Sequence, residues 1–378
     1  MSGGFKKNIR IRAPNVLGTK ISVENAQFLI STGAPDFDRV IGGGLAIGTL
    51  LLIEEDGSKS YSNLLAKLYL AEGLAVGHPL FVASLDESLD KFVSNLPSEV
   101  QMESKVKESP QPQQSEDPDL KIAWRYQHLP TGAPNASDKP AEFGHHFDLS
   151  RTVSAEQLGA HKITKWSEVD TKRDEFQDDN LPEQLKSLLA SIVKELTDND
   201  CWIKSSVPAN EQPKQRTVLR VSLLSVGSPL WKMQEKHLPA FFYALRSILR
   251  SSCAVCLATV PTQSLESHVK SRCRHVCDYC ICPSPAVHVD GKVNPLLSGH
   301  NGVFKIHKLP VINSIAPFKP ETLDLGFKVR RKKFCIEKLQ LPPEVAESEE
   351  REQDDVVQPK YAMDFTGCGS MTSKKLDF

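Results

Sequence analysis

The residues best placed to do chemistry follow the first buried strand and read Glu54-Glu55-Asp56-Gly57-Ser58-Lys59-Ser60-Tyr61-Ser62. The apolar run before them, Gly48–Ile53, predicts a strand buried on both faces, and apolar spacing predicts a helix over Ser62–Gly73, ended by Gly73. A strand, a loop and a helix in this order are typical of a phosphate-binding loop, because N–H groups at a helix start attract anions. Such a loop also needs a lysine for charge and a serine or threonine for magnesium.

The chemistry of this loop is only half present. Gly57, Lys59 and Ser60 could serve in a shortened loop, whereas at the usual loop length Tyr61 takes the lysine place and Ser62 the serine place. The three acids that open the loop would repel a triphosphate by several kcal/mol, even at an effective dielectric near 20. We therefore predict a degenerate phosphate-loop position, without hydrolysis, made of Gly57, Ser58, Lys59, Ser60, Tyr61 and Ser62.

A nucleotide-hydrolysing site needs acids at two other places. In this sequence, neither place indicates hydrolysis. The strand Val221–Ser225 ends without the acid that usually holds magnesium through water, and Ser225 offers only a hydroxyl. Glu87 lies where a general base could stand, although an acid in the first turn of a helix is the reading we favour. We predict no catalytic residue in this chain.

Buried strands alternate with helices along the chain, which predicts an α/β fold with a mostly parallel, doubly wound sheet and helices on both faces. Asp38 is predicted to cap a short helix that precedes the first buried strand. With 40% hydrophobic and 25% charged residues among 378, the composition is that of a globular protein. The net charge of −1 gives no overall field that would attract nucleic acid.

Polar stretches divide the chain. We predict a flexible basic arm over residues 1–24, one domain over 25–341 and an acidic, mostly flexible tail over 342–378. Within the domain, the segments at about 97–119, 131–180 and 204–216 are predicted insertions, since few apolar side chains could anchor them.

Two basic segments are candidates for contact with RNA phosphates. The first holds Lys6 and Lys7, and the second holds Arg330, Arg331, Lys332 and Lys333. The second segment could equally be a charged edge strand, kept from aggregating by its charges, or a nuclear import signal.

The cysteines predict buried thiols and no metal site. Cys273, Cys277, Cys280 and Cys282 are spaced by three, two and one residues, unlike the paired knuckles of structural zinc sites. The apolar residues of Val276–Ile281 predict a strand, in which cysteine acts as a small hydrophobe. Nine cysteines without a secretory signal are typical of a reducing compartment, and the longest early apolar run, Leu45–Ile53, is too short to cross a membrane. We expect a cytoplasmic protein that is also nuclear.

The stretch Ser31–Glu87 resembles the RecA-like family, through Thr32-Gly33, Phe37-Asp38, the glycines Gly42–Gly44 and Gly48. Nearly the whole chain resembles the Elongator complex protein 4 family. The matching pieces, in order, are Leu45–Thr49, Leu52–Asp56, Ile122–Tyr126, Phe143–Asp148, Gly227–Trp231 and Leu376–Phe378. The phosphate loop is degenerate in that family as well.

The resemblance implies a RecA-like subunit that forms a six-membered ring with Elongator subunits five and six, two copies of each. It implies that the ring binds tRNA, docks on the catalytic Elongator subcomplex and supports modification of wobble uridine at C5. The catalytic chemistry would belong to another subunit. No cofactor is firmly implied, although ATP could bind at ring interfaces. The alternatives are an autonomous RecA-like ATPase with a shortened phosphate loop, which would depend on Lys59, and a zinc-stabilised interaction module.

Overall fold

The structure is a computed structural model, and it describes residues 16–22, 24–100, 143–167, 181–203, 216–286, 288–289, 292–293, 297 and 299–339. The predictions made for Lys6, Lys7, Ile122–Tyr126 and the tail lie outside these residues. Among the described helices, none is both long and apolar enough to cross a membrane.

The described residues form helices and strands in alternation. The helices are α1 Pro35–Val40, α2 Ser60–Val76, α3 Leu89–Ser94, α4 Ala155–Ala160, α5 Glu183–Asp198, α6 His237–Arg250 and α7 Ser267–Val276. The first eight strands are β1 Thr19–Ile21, β2 Phe28–Ile30, β3 Leu45–Ala46, β4 Leu50–Glu54, β5 Leu80–Ala83, β6 Pro97–Glu99, β7 Phe147–Thr152 and β8 Ile163–Trp166. The others are β9 Leu219–Leu223, β10 Ala254–Val260, β11 Tyr279–Pro285, β12 His288–Val289, β13 Lys292–Val293, β14 Gly302–Lys308, β15 Leu325–Val329 and β16 Phe334–Lys338.

A nine-stranded mixed sheet is the centre of the fold, with the strand order β16-β15-β14-β11-β4-β10-β9-β5-β8. The strands from β11 to β8 in this order are parallel, and β14, β15 and β16 extend the sheet as antiparallel strands. The predicted α/β class is confirmed. Because the parallel strands all end at one edge, the loops that follow them meet there.

Side chains of β4 alternate between two apolar cores, one on each face of the sheet. Leu51 and Ile53 pack in the core that includes the buried residues of α1, α2 and α3. Leu50 and Leu52 pack in the core that includes those of α5, α6 and α7. A strand buried on both faces reads as a continuous apolar run, which is why the sequence predicted it.

Three local predictions are wrong. Helix α2 continues past Gly73 to Val76, and Gly77 follows it with a positive φ of 84°, which suits a glycine at a helix end. Helix α7 occupies residues through Val276, so the strand expected over Val276–Ile281 begins only at Tyr279. Asp38 lies inside α1 and does not cap it. Its carboxylate instead accepts hydrogen bonds from Ser31 Oγ at 2.6 Å and the Thr32 backbone N–H at 2.8 Å.

The segment predicted as an insertion at 131–180 contributes to the main sheet. Strand β8 pairs in parallel with β5 and forms one edge of the sheet. Of its four side chains only Trp166 is buried, and its indole stacks on that of Trp231 with ring centroids 5.7 Å apart. One buried side chain leaves no periodic pattern in the sequence, so nothing marked this strand.

Candidate functional site

The loop between β4 and α2 lies beside the ends of β9 and β10, as expected for a parallel sheet. Glu55 follows β4 and is buried, and its Oε1 accepts hydrogen bonds from Ser225 Oγ at 2.8 Å and Thr259 Oγ1 at 2.7 Å. The hydroxyls therefore converge on a carboxylate of the protein itself at the edge where a ligand would be expected.

Asp56 takes the anion position at the start of α2. Its Oδ1 accepts hydrogen bonds from the backbone N–H groups of Tyr61 and Ser62, both at 3.1 Å, and from Ser62 Oγ at 3.2 Å. Its Oδ2 accepts from the Ser60 N–H at 3.0 Å and Ser58 Oγ at 2.7 Å. These N–H groups at a helix start are those that a phosphate loop offers to phosphate. An internal carboxylate, itself only 3% exposed, therefore satisfies them.

Lys59 is turned toward the neighbouring strands. It has a positive φ of 56°, and its Nζ donates hydrogen bonds to Asp86 Oδ2 at 2.6 Å and Ser225 Oγ at 3.0 Å. Partial burial opposes the charge, but the hydrogen bond to Asp86 and the nearby acids outweigh it and raise the pKa of Lys59. Lys59 thus serves as the cation between carboxylates, a role that a metal ion plays in hydrolytic sites.

Glu55 and Asp86 complete this charge cluster. Burial raises the pKa of Glu55, although Thr259, Ser225 and Lys59 oppose the shift. Glu55 Oε2 lies 3.9 Å from Lys59 Nζ, and Asp86 also accepts a short hydrogen bond from Ser228 Oγ. The sequence reasoning missed Asp86 and Thr259. The signal for Asp86 was present, since it follows the buried strand β5 by only two intervening residues.

Glu54, the last residue of β4, is turned away from this cluster toward α7 and β14. Arg274 donates from Nε and Nη2 to its two carboxylate oxygens, with Nη2 2.9 Å from Oε2. Lys270 Nζ is 3.2 Å and His307 Nε2 is 3.8 Å from Oε2. Burial raises the pKa of Glu54, but the Arg274 hydrogen bond and the cations prevail and lower it. The three acids of the loop are thus each bound inside the protein.

The remaining residues predicted for this position have structural contacts. The ring of Tyr61 packs edge-on against Phe327 with centroids 4.7 Å apart. A side chain at Gly57 would meet only Gln263, at 3.7 Å, so no close backbone approach requires glycine there. Glu87 precedes α3 and does not belong to its first turn, and its Oε1 accepts from Asn63 Nδ2 at 2.6 Å.

The other predicted features lie elsewhere. Arg330, Arg331, Lys332 and Lys333 are exposed in the turn between β15 and β16. Among the clustered cysteines, Cys273, Cys277 and Cys280 are buried and Cys282 is half-buried.

Among the described residues, one group of side chains has the ligand types and the short distances that a metal ion would need. Ligand atoms of Glu54, Cys282 and His307 lie within 4.8 Å of one another. The Glu54 carboxylate, however, already binds Arg274 and Lys270, whose positive charges oppose a cation.

The fold and this position define a class: an α/β protein that keeps the strand, loop and helix of a phosphate-binding site and fills it with its own side chains. The family model described as PAXNEB protein matches residues 12–378. The chain is 34% identical to Elongator complex protein 4 of Xenopus laevis, over 99% of this chain and 95% of the relative. It is 37% identical to the protein of that name from Danio rerio, over 92% and 90%, and 33% identical to that of Homo sapiens, over 97% and 90%. The chain belongs to the Elongator complex protein 4 family, the PAXNEB proteins.

Proposed function

We propose that this chain is a non-catalytic Elongator subunit with a RecA-like fold. It forms a heterohexameric ring with Elongator subunits five and six, and the ring binds tRNA and docks on the catalytic Elongator subcomplex. The assembly supports carboxymethyl-type modification of wobble uridine at C5, the pathway to mcm5U and ncm5U. Family membership supports the place in Elongator. The chain would work in the cytoplasm and also in the nucleus.

The observation that carries the non-catalytic role is the Asp56 carboxylate at the start of α2. A triphosphate at this position would have to displace Asp56 from the N–H groups of Ser60, Tyr61 and Ser62. The displaced carboxylate would then repel the incoming phosphates. Lys59, bound to Asp86, would also have to leave its partner. If ATP binds in the ring, we place it at interfaces to which other subunits bring the phosphate-binding residues.

Two features support the finer parts of the proposal. Parallel strands flank β4 on both sides, and a loop and a helix follow it, which is the arrangement that a RecA-like core would require. The exposed turn Arg330–Lys333 and the basic residues Lys6 and Lys7 are the proposed RNA contacts of this chain. Contacts of this kind add affinity without base specificity.

Depletion of this protein tests the place in the pathway. We expect the 5-carboxymethyl-derived wobble nucleosides of bulk tRNA to disappear, as measured by nucleoside mass spectrometry, and to return when the wild-type chain is restored. A modification made elsewhere in tRNA, such as pseudouridine, provides the internal control. Unchanged C5-modified nucleosides after complete depletion would refute the proposal.

The alternative of an autonomous ATPase is tested with the purified single chain. Lys59 and Ser60 are the residues it would need, and both are held by acids in the structure. We expect no ATP turnover above that of the Lys59→Ala variant. A turnover that is present in the wild type and abolished by Lys59→Ala would favour the ATPase over the non-catalytic subunit.

A further inference from the structure

A cavity of about 80 Å³ lies between the glycines Gly42 and Gly44, the turn Ser22–Gln27 and the loop that joins β14 to β15. None of the residues of the phosphate-loop position lines this cavity, and the turn Arg330–Lys333 does not line it either. The cavity is therefore a candidate binding site of its own.

The floor of the cavity is apolar and buried. Leu29, Ile41 and Tyr279 line it and are at most 5% exposed. The hydroxyl of Tyr279 donates a hydrogen bond to the carbonyl oxygen of Gly44 at 3.4 Å and accepts one from the Ala46 N–H at 3.1 Å. Because its polar atom is thus satisfied within the protein, Tyr279 offers a ligand mainly its ring.

Contacts across the cavity hold the loop between β14 and β15 in place. Asn25 Nδ2 donates to the carbonyl oxygen of Ile312 at 3.4 Å. The ring of Phe318 lies against Gly42, where a Cβ atom would come within 3.0 Å of its Cγ and where φ is 96°, so this approach requires glycine. The cavity is formed before any ligand arrives, and little conformational entropy remains to be lost on binding.

The mouth of the cavity is polar and carries one negative charge. Glu24 is its only acid, and no lysine or arginine is among the described residues that line it. Glu24 is also exposed, so its carboxylate is accessible from solvent. An apolar floor below a carboxylate matches a ligand with an aliphatic body and a positively charged end. The other polar side chains of the lining are Ser22, Asn25, Gln27 and Ser314.

Exposed aliphatic side chains stand beside the cavity. Ile21 is 49% exposed, Val311 is 53% exposed and Ile315 is fully exposed, and each is next to a lining residue in the chain. Apolar side chains gathered around a polar opening are typical of a surface that binds another protein. They favour a protein as the partner over a free metabolite.

The volume of the cavity limits which side chain can enter. A cavity of roughly 150 Å³ holds one benzene ring. A cavity of about 80 Å³ therefore excludes aromatic rings and nucleic acid bases, and it accepts a slim aliphatic chain. Lysine has such a chain with a compact ammonium group at its end, whereas the guanidinium group of arginine is a wider planar fork.

We propose that this cavity receives a lysine side chain of a partner protein. The aliphatic part of the lysine packs on Leu29, Ile41 and Phe318, and its ammonium group pairs with Glu24 at the mouth. The residues beside that lysine in the partner cover Val311 and Ile315. This inference does not depend on the proposed function.

The test is an NMR titration of the full-length chain labelled at its isoleucine methyl groups. Ile41 and Ile312 line the cavity, whereas Ile192 packs in the core on the other face of the sheet and serves as the internal control. The probe is N-acetyl-lysine-N-methylamide. The norleucine analogue has a similar aliphatic chain without the charge, and the arginine analogue has the charge in a wider group.

We expect the lysine probe to give saturable shifts of the Ile41 and Ile312 methyl signals without a shift at Ile192. The norleucine and arginine probes should bind at least about fivefold more weakly. Glu24→Gln should weaken binding of the lysine probe about fivefold, to the level of the norleucine probe. Glu156→Gln, at an exposed acid of α4, is the matched control and should change the affinity less than twofold.

Three results would overturn the inference. The first is the absence of a saturable shift at Ile41 and Ile312 up to about 0.1 M probe, a concentration that reveals even weak binding. The second is equal affinity for the lysine probe and either of its analogues. The third is equal affinity of the Glu24→Gln and Glu156→Gln variants for the lysine probe. None of these results bears on the place in Elongator, which depletion measures separately.

Discussion

The phosphate-loop position and the cations around Glu54 both gather charges beside the same strand, β4, but they balance them differently. At the phosphate-loop position Asp56 is held by N–H groups and Lys59 by Asp86. Around Glu54, one buried acid is shared by Lys270 and Arg274, and Lys305 of β14 is exposed. The first region has satisfied its charges internally, whereas the second keeps more positive than negative charge.

The difference teaches where a ligand is to be sought in a fold whose usual ligand position has been filled. Ligands of parallel sheets bind beyond the carboxyl ends of the strands, and a search by analogy would stop there. The hydrogen bonds of Glu55, Asp56 and Lys59 show instead that the charged groups at this edge bind one another and stabilise the fold. Glu54, the first acid of the loop, belongs to the second region, where it binds Lys270 and Arg274.

The largest effect should come from Asp56→Ala, which leaves the start of α2 without its internal anion. We expect the free energy of unfolding to fall by about 3 kcal/mol, because N–H groups that Asp56 satisfied lose a charged acceptor in a buried place. Urea unfolding followed by circular dichroism measures the change.

Two variants calibrate that measurement. Asp56→Asn keeps one acceptor oxygen and should cost about half as much. Asp90→Ala removes an acid that is 84% exposed on α3 and should cost less than about 0.5 kcal/mol. If Asp56→Ala cost no more than Asp90→Ala, the internal anion would not stabilise α2, and the comparison between the two regions would fail.

Glu54→Gln should have the next largest effect, because it removes the buried acid that binds both Lys270 and Arg274. Lys270 and Arg274 would face each other without a carboxylate between them, and we expect about 2 kcal/mol of lost stability. Both cations are about one-third exposed, so water limits the loss. The matched control is Glu266→Gln at an exposed acid of the same helix region. Equal unfolding midpoints for the two variants would show that Glu54 holds nothing in place.

The sequence predicted the elements that bury regular apolar patterns. Strand β4 lies where its apolar run indicated, and helix α2 covers the whole of the predicted Ser62–Gly73. Helix α7 was not recognised, since its polar faces and only two buried side chains leave no period to detect. Strand β8 was not predicted for the same reason, since only one of its side chains is buried.

The chemistry of the loop was predictable in part. Its residue types indicated a degenerate phosphate loop, and in the structure its acids are bound by groups of the protein itself. The internal role of Asp56 needed the position of the helix start, which lies at Ser60 and not at the predicted Ser62. The role of Asp38 also depended on where its helix begins. The sequence indicated a helix cap, but the carboxylate accepts hydrogen bonds from Ser31 and Thr32. Helix ends are fixed by tertiary contacts that composition does not reveal.

The pH dependence separates two kinds of buried acid. Burial raises the pKa of Asp38 from 3.8 to about 6, so the folded state favours its protonated form. The stability that Asp38 contributes therefore increases as the pH falls through 6, whereas that of Glu54, whose pKa is lowered, is lost as the pH falls below its ordinary value of 4.5. Between pH 7.5 and 5, we expect wild type to gain about 1 kcal/mol relative to Asp38→Asn.

Urea midpoints at the two pH values measure that gain. Asp198→Asn, at the exposed end of α5, controls for the loss of one acid. An unchanged gap between wild type and Asp38→Asn would show that Asp38 carries its charge in the folded state at both pH values.

The smallest effect on stability should come from Arg272→Glu/Lys305→Glu, which reverses one exposed charge on α7 and one on β14. Neither side chain has an ion-pair partner among the described residues, so its charge holds nothing in the fold. We expect the free energy of unfolding of the single chain to change by less than about 0.5 kcal/mol. Differential scanning calorimetry at low and high salt measures it. The glutamate at position 305 should stabilise the fold slightly at low salt, because Lys270 and Arg274 lie near it. A loss comparable to that of Glu54→Gln would mean that these exposed charges hold the fold as the loop acids do, and the comparison between the two regions would fail.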